Sequence, residues 1–244
     1  MKALDGMSPA PPERGPHLRE AIASAIVVTG AVAAVSRWAP PSYIATAVGF
    51  VFLAATWVLV WRTDDARVRR FGLALGGVVM PGELRLATLV KSAATALAWA
   101  LGFAAVVFIP FYFGWHYWWA PKLHFSLAVA PLDAMNEAFG QFIVIALPEE
   151  AFYRGYLQSR LDEAWTGRVR IAGADIGPGL FVASAIFALG HVATVPQPAR
   201  LAVFFPSLLF GWLRARTGGI GASLTFHATC NIFSEMLGRG FGVY

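Results

Sequence analysis

The long stretches without charge are the feature that most constrains this chain. Only 14% of its 244 residues are charged and 57% are hydrophobic, whereas a water-soluble domain carries roughly 25% charged residues. The deficit is uneven, because runs such as "PSYIATAVGFVFLAATWVLVW" at 41–61 contain no charged residue. A bilayer core is crossed by about 20 apolar residues in helical form. The sequence therefore predicts an all-α, polytopic membrane helix bundle.

Seven segments have the length and apolarity of a transmembrane helix, and six to eight spans are compatible with the pattern. The predicted spans are 21–38, 41–61, 87–113, 134–157, 178–195, 199–214 and 219–237. Between them we expect a charged loop at 62–70, an interfacial segment at 71–86, an aromatic headgroup-layer segment at 114–125 and a polar loop at 158–177. This divides the chain into a polar, poorly ordered tail (1–20), N-terminal transmembrane helices and interfacial segments (21–130) and a C-terminal helix bundle (131–244).

The distribution of positive charge predicts the orientation. If the N-terminus is cytoplasmic, thirteen Lys and Arg residues lie inside and four lie outside, with Lys91 and Arg154 set aside as lying within spans. The positive-inside rule favours this orientation. Membrane topology thus explains the net charge of +5, and nucleic acid is not an expected partner. We expect a multi-pass protein of a bacterial cell membrane, with the bilayer as its partner.

Placing an ionisable group within the hydrocarbon layer costs free energy, so each such residue indicates a structural or functional role. In "ALPEEAFYRGYLQSRL" at 146–161, Glu150 and Arg154 are four residues apart, so they can form an ion pair on one helix face. Glu149 points about 100° away and has no such partner. Either these residues mark a helix end at the interface, or Glu149 faces a polar cavity as a general base while Arg154 braces Glu150.

Two later spans carry further hydrogen-bonding groups. His191 follows Phe187 by one turn in "SAIFALGHV", and His227 precedes Asn231 by one turn in "HATCN". Taken singly, His191 is explained by packing, and the second pair by hydrogen bonds between membrane helices. Taken together, three spans with such groups predict a shared, hydrated site. The lone Cys230 excludes an intrachain disulfide and a cysteine zinc cluster. Other polar residues near span ends are expected to cap at the interface: Asp133, Asn136, Glu137, Gln141 and Glu235.

These motifs, in this order, resemble the CPBP intramembrane proteases, the group of the CAAX prenyl endopeptidase and bacterial Abi-type proteins. "EEAFYR" has the form EExxxR, "FALGH" the form FxxxH and "HATCN" the form HxxxN, and together they cover about 146–231. The resemblance implies that 131–244 is a CPBP-like catalytic bundle with endopeptidase activity. The implied substrate is a peptide or protein with a hydrophobic or lipidated tail.

The resemblance also implies roles for individual residues. Glu149 would activate the water, His191 would share or orient it, and His227 with Asn231 would stabilise the oxyanion. Glu150, Arg154 and Phe187 would support the site. This is metal-free chemistry with no cofactor. The alternative is a zinc enzyme with Glu149, His191 and His227 as ligands, although the sequence contains no HExxH motif.

Two other classes of function are compatible with buried Glu and His residues. A proton-coupled transporter would use them as a relay, but the chain shows no internal repeat. A non-enzymatic membrane chaperone or immunity factor would keep the fold without the chemistry, which the intact motifs argue against. For the protease, we expect a cavity in the middle-to-cytoplasmic part of the bilayer, reached laterally between helices and hydrated from the cytoplasm.

Overall fold

The computed structural model describes residues 14–243, and this part of the chain is almost entirely helical. The helices are α1 (Arg14–Trp38), α2 (Pro41–Trp61), α3 (Asp65–Arg70), α4 (Leu86–Trp119), α5 (131–164), α6 (Pro178–Thr194), α7 (198–217) and α8 (Gly221–Gly240). Two short strands, β1 (Val169–Ile171) and β2 (Ala174–Ile176), form an antiparallel hairpin. The predicted all-α helix bundle is therefore confirmed.

Each predicted span lies on one of the long helices. Among residues 14–243, three helices are long and apolar enough to cross a membrane: Gly15–Trp38, Pro41–Trp61 and Leu86–Trp119. Helix α6 is apolar but shorter. The total of about seven spans therefore stays a prediction, while the position of the helices along the chain agrees with it.

Three predicted boundaries were wrong. Helix α1 begins at Arg14, so the tail expected at 1–20 includes the first helical turns, and its residues 1–13 lie outside the described part. Helix α4 continues to Trp119, because the aromatic residues expected in a headgroup-layer segment extend the helix. The loop expected at 158–177 begins with the last turns of α5 and ends with the β1–β2 hairpin. Ala172 and Gly173 form its turn with positive φ values of 48° and 83°, as a two-residue type I′ turn requires.

Helix α5 lies at the centre of the largest apolar core. One face of α1 presents Ala21, Ala25, Val28 and Val32, spaced by three or four residues as on one side of a helix. These small side chains let α1 pack against the buried aromatic residues of α5. Phe52 of α2 completes this contact, with ring centroids 5.6 Å from Phe152 and 5.4 Å from Tyr153. A second core joins α4, α7 and α8 through Ala100, Phe210, Leu213, Ala222 and Phe226.

The backbone of α5 is irregular where it passes α2. Its segments Gly140–Ala146 and Ala151–Gln158 are π-helical, a conformation frequent at functional sites. Pro148 lies between them and has no N–H for the Val144 carbonyl one turn earlier. A Cβ atom at Gly49 of α2 would lie 2.4 Å from that carbonyl oxygen. Only glycine therefore permits α2 to approach α5 this closely.

Charged residues cluster at the end of the bundle that contains the start of α1. Glu20 contacts Arg160 of α5 and Arg67 of α3, the latter at 3.2 Å. Glu163 contacts Arg70 at 3.2 Å and Arg160 at 2.7 Å. We call this the charged end. It joins the start of α1 and helix α3 to the end of α5.

Candidate active site

Helix α5 directs its two adjacent glutamates into different surroundings. Glu150 is fully buried at 0% exposure, whereas the Glu149 side chain is 13% exposed and lines a cavity. The angular separation of successive helical residues explains the difference. Thus Glu150 belongs to the protein interior and Glu149 is accessible to a small molecule.

Glu150 forms the predicted ion pair with Arg154. Glu150 Oε2 lies 3.5 Å from Arg154 Nε, and both side chains are at most 1% exposed. Arg154 Nη2 donates to the Ser207 hydroxyl of α7 at 2.9 Å. The guanidinium also lies over the rings of Phe187 and Phe210, 4.5 and 5.2 Å from their centroids. A buried cation thus connects α5, α6 and α7.

His227 of α8 contacts both glutamates. Its Nδ1 lies 3.0 Å from Glu150 Oε1, and its Nε2 lies 3.8 Å from Glu149 Oε2. The imidazole stacks on Phe210 with centroids 4.6 Å apart and an interplanar angle of 13°. Since an ionised carboxylate only accepts, Nδ1 is the donor in this hydrogen bond. In the neutral ring, Nε2 then carries the lone pair.

His191 of α6 is oriented in a similar way by its own helix. Nδ1 lies 3.0 Å from the Phe187 carbonyl oxygen, which can only accept, so Nδ1 carries the proton. The Nε2 atom of the neutral ring is therefore an acceptor. His191 lines the same cavity as Glu149, and its ring packs on Phe187 with centroids 4.4 Å apart. Phe187 thus supports both His191 and Arg154.

The cavity lies between α1, α2, α5 and α6 and has a volume of about 440 Å³. Its wall is mostly apolar around a few polar side chains. It is lined by Thr29, Val32, Ser36, Pro41, Ile44, Ala45, Val48, Gly49, Phe52, Val144, Ile145, Glu149, Tyr153, Gly190, His191, Thr194 and Val195. We call this space the Glu149 cavity.

The Glu149 cavity lies away from the charged end, whereas its predicted position toward the cytoplasm stays a prediction. The lining residues come from the later turns of α1, the first turns of α2 and the last turns of α6. These lie at the end of the bundle opposite the charged end. The prediction took residue 157 as the end of the span, whereas α5 continues to Ala164. Glu149 is therefore about 22 Å from that helix end at 1.5 Å per residue.

Of the four predicted catalytic residues, Glu149 and His191 line the cavity, His227 reaches it only through its contact with Glu149, and Asn231 does not line it. Asn231 lies on α8 one turn beyond His227, is half-buried, and is not among the lining residues. Of the predicted interfacial residues, Glu137 and Glu235 pair with Arg239 at 2.9 and 2.6 Å. Asp133 and Asn136 are exposed near the start of α5, and Gln141 is half-buried.

The zinc alternative requires three converging ligands. Among residues 14–243, no group of three or more His, Cys, Asp or Glu side chains is arranged to hold a metal ion. Glu149 and His191 share the cavity, and His227 presents Nε2 toward Glu149 while Nδ1 bonds Glu150. The described residues therefore offer no preformed three-ligand zinc site.

Sequence reasoning missed three residues that build the site. Ser207 and Phe210 on α7 contact Arg154, and Phe210 also stacks on His227. No short motif links them to α5, because the contact spans more than fifty positions. Tyr153 lines the cavity, and its position four residues after Glu149 was a signal available in the sequence.

Comparison with known proteins relates the C-terminal part of the chain to a protein family. Residues 131–233 match the family model described as type II CAAX prenyl endopeptidase Rce1-like. The match begins at the start of α5 and includes Glu149, His191, His227 and Asn231. No curated protein and no solved structure matches the chain.

Proposed function

We propose that this chain, whose residues 131–233 match the Rce1-like family of CAAX prenyl endopeptidases, cleaves its substrate with a water molecule activated by Glu149. The match supports the general activity, that of a CAAX-type intramembrane peptidase. The main support for the role of Glu149 is the cavity that it shares with His191. It places a carboxylate and an imidazole acceptor around a space that can hold water and a peptide.

In the proposed reaction both acceptors orient the water. The lone pair on His191 Nε2 accepts one hydrogen, and the Glu149 carboxylate accepts the proton released as the water attacks the peptide carbonyl. General-base catalysis of this kind contributes about 10²–10⁴-fold. Glu149 then returns the proton to the leaving amine. His191 is held for this role by its hydrogen bond to the Phe187 carbonyl.

His227 and Asn231 are proposed for the oxyanion, in line with the family pattern. The position of His227 Nε2, 3.8 Å from Glu149 Oε2, supports a role beside the reacting carbonyl when the ring is protonated. Asn231 would act only if bound substrate extended along α8 to its position. The buried Glu150–Arg154 pair supports this role because Glu150 fixes the orientation of His227.

The proposed substrate is a membrane-associated protein with a hydrophobic or lipidated tail. The mostly apolar wall of the Glu149 cavity favours such a chain. We also propose the orientation with a cytoplasmic N-terminus, supported by the excess of Arg and Lys on that side. The Glu149 cavity then lies in the outer half of the bilayer.

The test is proteolysis by the purified full-length protein in liposomes. Fluorogenic peptides ending in a CAAX sequence, with and without a farnesyl group, are compared with a peptide that has an internal apolar segment. Glu149→Gln should reduce turnover by about 10²–10⁴-fold and leave folding intact. Glu83→Gln, at an exposed glutamate in the loop before α4, is the matched control. Wild-type turnover by Glu149→Gln would contradict the proposal.

The same assay separates glutamate from zinc chemistry. Treatment with 1,10-phenanthroline should leave the rate unchanged, and metal analysis of the active protein should find zinc far below one equivalent. Loss of activity that added Zn²⁺ restores would instead support the zinc alternative.

A further inference from the structure

We propose that the Tyr153 hydroxyl is a further catalytic group of this site, an additional hydrogen-bond donor to the oxyanion beside His227. This inference depends on the proposed hydrolysis with Glu149. Tyr153 follows Glu149 by four residues on α5, so the two side chains lie on one helix face. Both line the Glu149 cavity. The sequence "EEAFYR" thus contains two pairs of this spacing, one buried (Glu150 and Arg154) and one facing the cavity.

The hydroxyl has a fixed position in the cavity wall. The Tyr153 ring packs edge-on against Phe187 with centroids 5.0 Å apart and against Phe152 at 5.2 Å. A Cβ atom at Gly190 of α6 would lie 2.9 Å from the hydroxyl oxygen. Gly190 therefore keeps free the space beside this oxygen, next to His191.

Tyr153 supplies a donor that does not depend on the protonation of a histidine. In their neutral forms both His191 and His227 use Nδ1–H for internal hydrogen bonds and present Nε2 as an acceptor. Asn231 does not line the cavity. A phenol hydroxyl donates without any change of charge. The Tyr153 hydroxyl also forms a hydrogen bond with Thr29 of α1. When Thr29 donates to the phenol oxygen, the phenol hydrogen is free to donate into the cavity.

The proposed step is balanced without any co-reactant. The oxygen of water bonds to the carbonyl carbon, and its proton passes to Glu149. The π pair of the carbonyl moves to the carbonyl oxygen, which accepts a hydrogen bond from Tyr153. The phenol keeps its proton throughout. An oxyanion donor acts on the transition state more than on bound substrate, so its loss lowers kcat more than it raises KM.

The experiment compares three variants in the liposome assay. Tyr153→Phe should lower kcat by about 10²-fold with little change in KM or Tm. Tyr156→Phe, the matched control, removes a buried hydroxyl that bonds Ser24 outside the cavity, and should keep wild-type kcat. Thr29→Val removes the partner but keeps the phenol and its hydrogen, so it should lower kcat less than Tyr153→Phe does. Equal losses of kcat in Thr29→Val and Tyr153→Phe would overturn the proposal.

A transition-state analogue adds a readout that packing does not affect. A phosphinic peptide mimics the tetrahedral oxyanion, so Tyr153→Phe should weaken its binding by the same factor as kcat/KM. Unchanged affinity would overturn the donor role. If Tyr153→Phe does not fold, Gly190→Ala tests the donor role instead. Its added Cβ crowds the Tyr153 hydroxyl without removing it, so kcat should fall. Wild-type kcat in Tyr153→Phe beside an inactive Glu149→Gln refutes only this inference, whereas an active Glu149→Gln refutes the proposed function.

Discussion

His227 Nδ1 lies 3.0 Å from Glu150 Oε1, and this contact joins the buried ion pair to the cavity. The same imidazole reaches Glu149 through Nε2. Because Glu150 accepts from Nδ1, it fixes both the orientation and the tautomer of His227. Glu150 can therefore be essential without touching substrate, since it sets the face that His227 presents to Glu149.

Glu150→Gln should destabilise the protein. The substitution leaves Arg154 without its carboxylate in a fully buried position, and breaking a buried ion pair costs about 3–5 kcal/mol. Thermal unfolding in detergent should show a large fall in Tm. Glu150→Gln combined with Arg154→Met should recover part of it, because the double variant buries no unpaired charge. An unchanged Tm with lost activity would instead make Glu150 a catalytic group.

The sequence predicted what depends on local spacing. The i and i+4 spacing gave the Glu150–Arg154 pair, and long, mostly apolar runs gave the position of every long helix. It did not give the contacts of Arg154 with Ser207 and Phe210, because helix packing brings together residues that no periodicity relates. Nor did it separate His227 from Asn231, which share a helix face but lie one turn apart along the axis.

The end of the bundle at which the cavity lies could also not be predicted from the sequence. Hydropathy defines where a chain enters lipid but not where a helix ends, and α5 continues as a polar helix to Ala164. The proline and π-helical turns within α5 also change its register relative to a straight helix. The position of the cavity along the bundle therefore follows from the packing of the helices and not from hydropathy.

Gly49→Ala should loosen the contact between α2 and α5. The new Cβ would lie 2.4 Å from the Val144 carbonyl oxygen, and a backbone atom cannot rotate away. Overpacking of this kind costs about 1–3 kcal/mol, so Tm should fall. Activity should fall as well, because Gly49 and Val144 both line the Glu149 cavity. Gly102→Ala on α4 is the control, since nothing lies within 4 Å of its added Cβ. A Gly49→Ala protein as stable as this control would contradict the close approach.

Asp162→Asn should change the pH dependence of stability. Burial raises the pKa of Asp162, five residues beyond the predicted span, from 3.8 to about 6, against the opposing effect of Arg168. The folded state therefore binds the proton more tightly than the unfolded state, and the resulting stability is present below pH 3.8 and lost as pH rises through 6. Lowering the pH from 7 to 4 should raise the Tm of the wild type relative to Asp162→Asn. A constant Tm difference across this window would contradict the shift.

The Glu149 cavity should open on the side of the membrane opposite the charged end. Ser36 and Ala45 line it near the connection between α1 and α2, whereas the exposed Asp65 begins α3 near the other end. In a Cys230→Ala background, Ser36→Cys and Ala45→Cys should react with a membrane-impermeant maleimide added outside intact cells. Asp65→Cys is the control and should react only after the cells are opened, because the positive-inside rule places its loop in the cytoplasm. Labelling of all three from one side would contradict the opposed positions. Labelling of Asp65→Cys alone from outside would reverse the proposed orientation while keeping the cavity opposite the charged end.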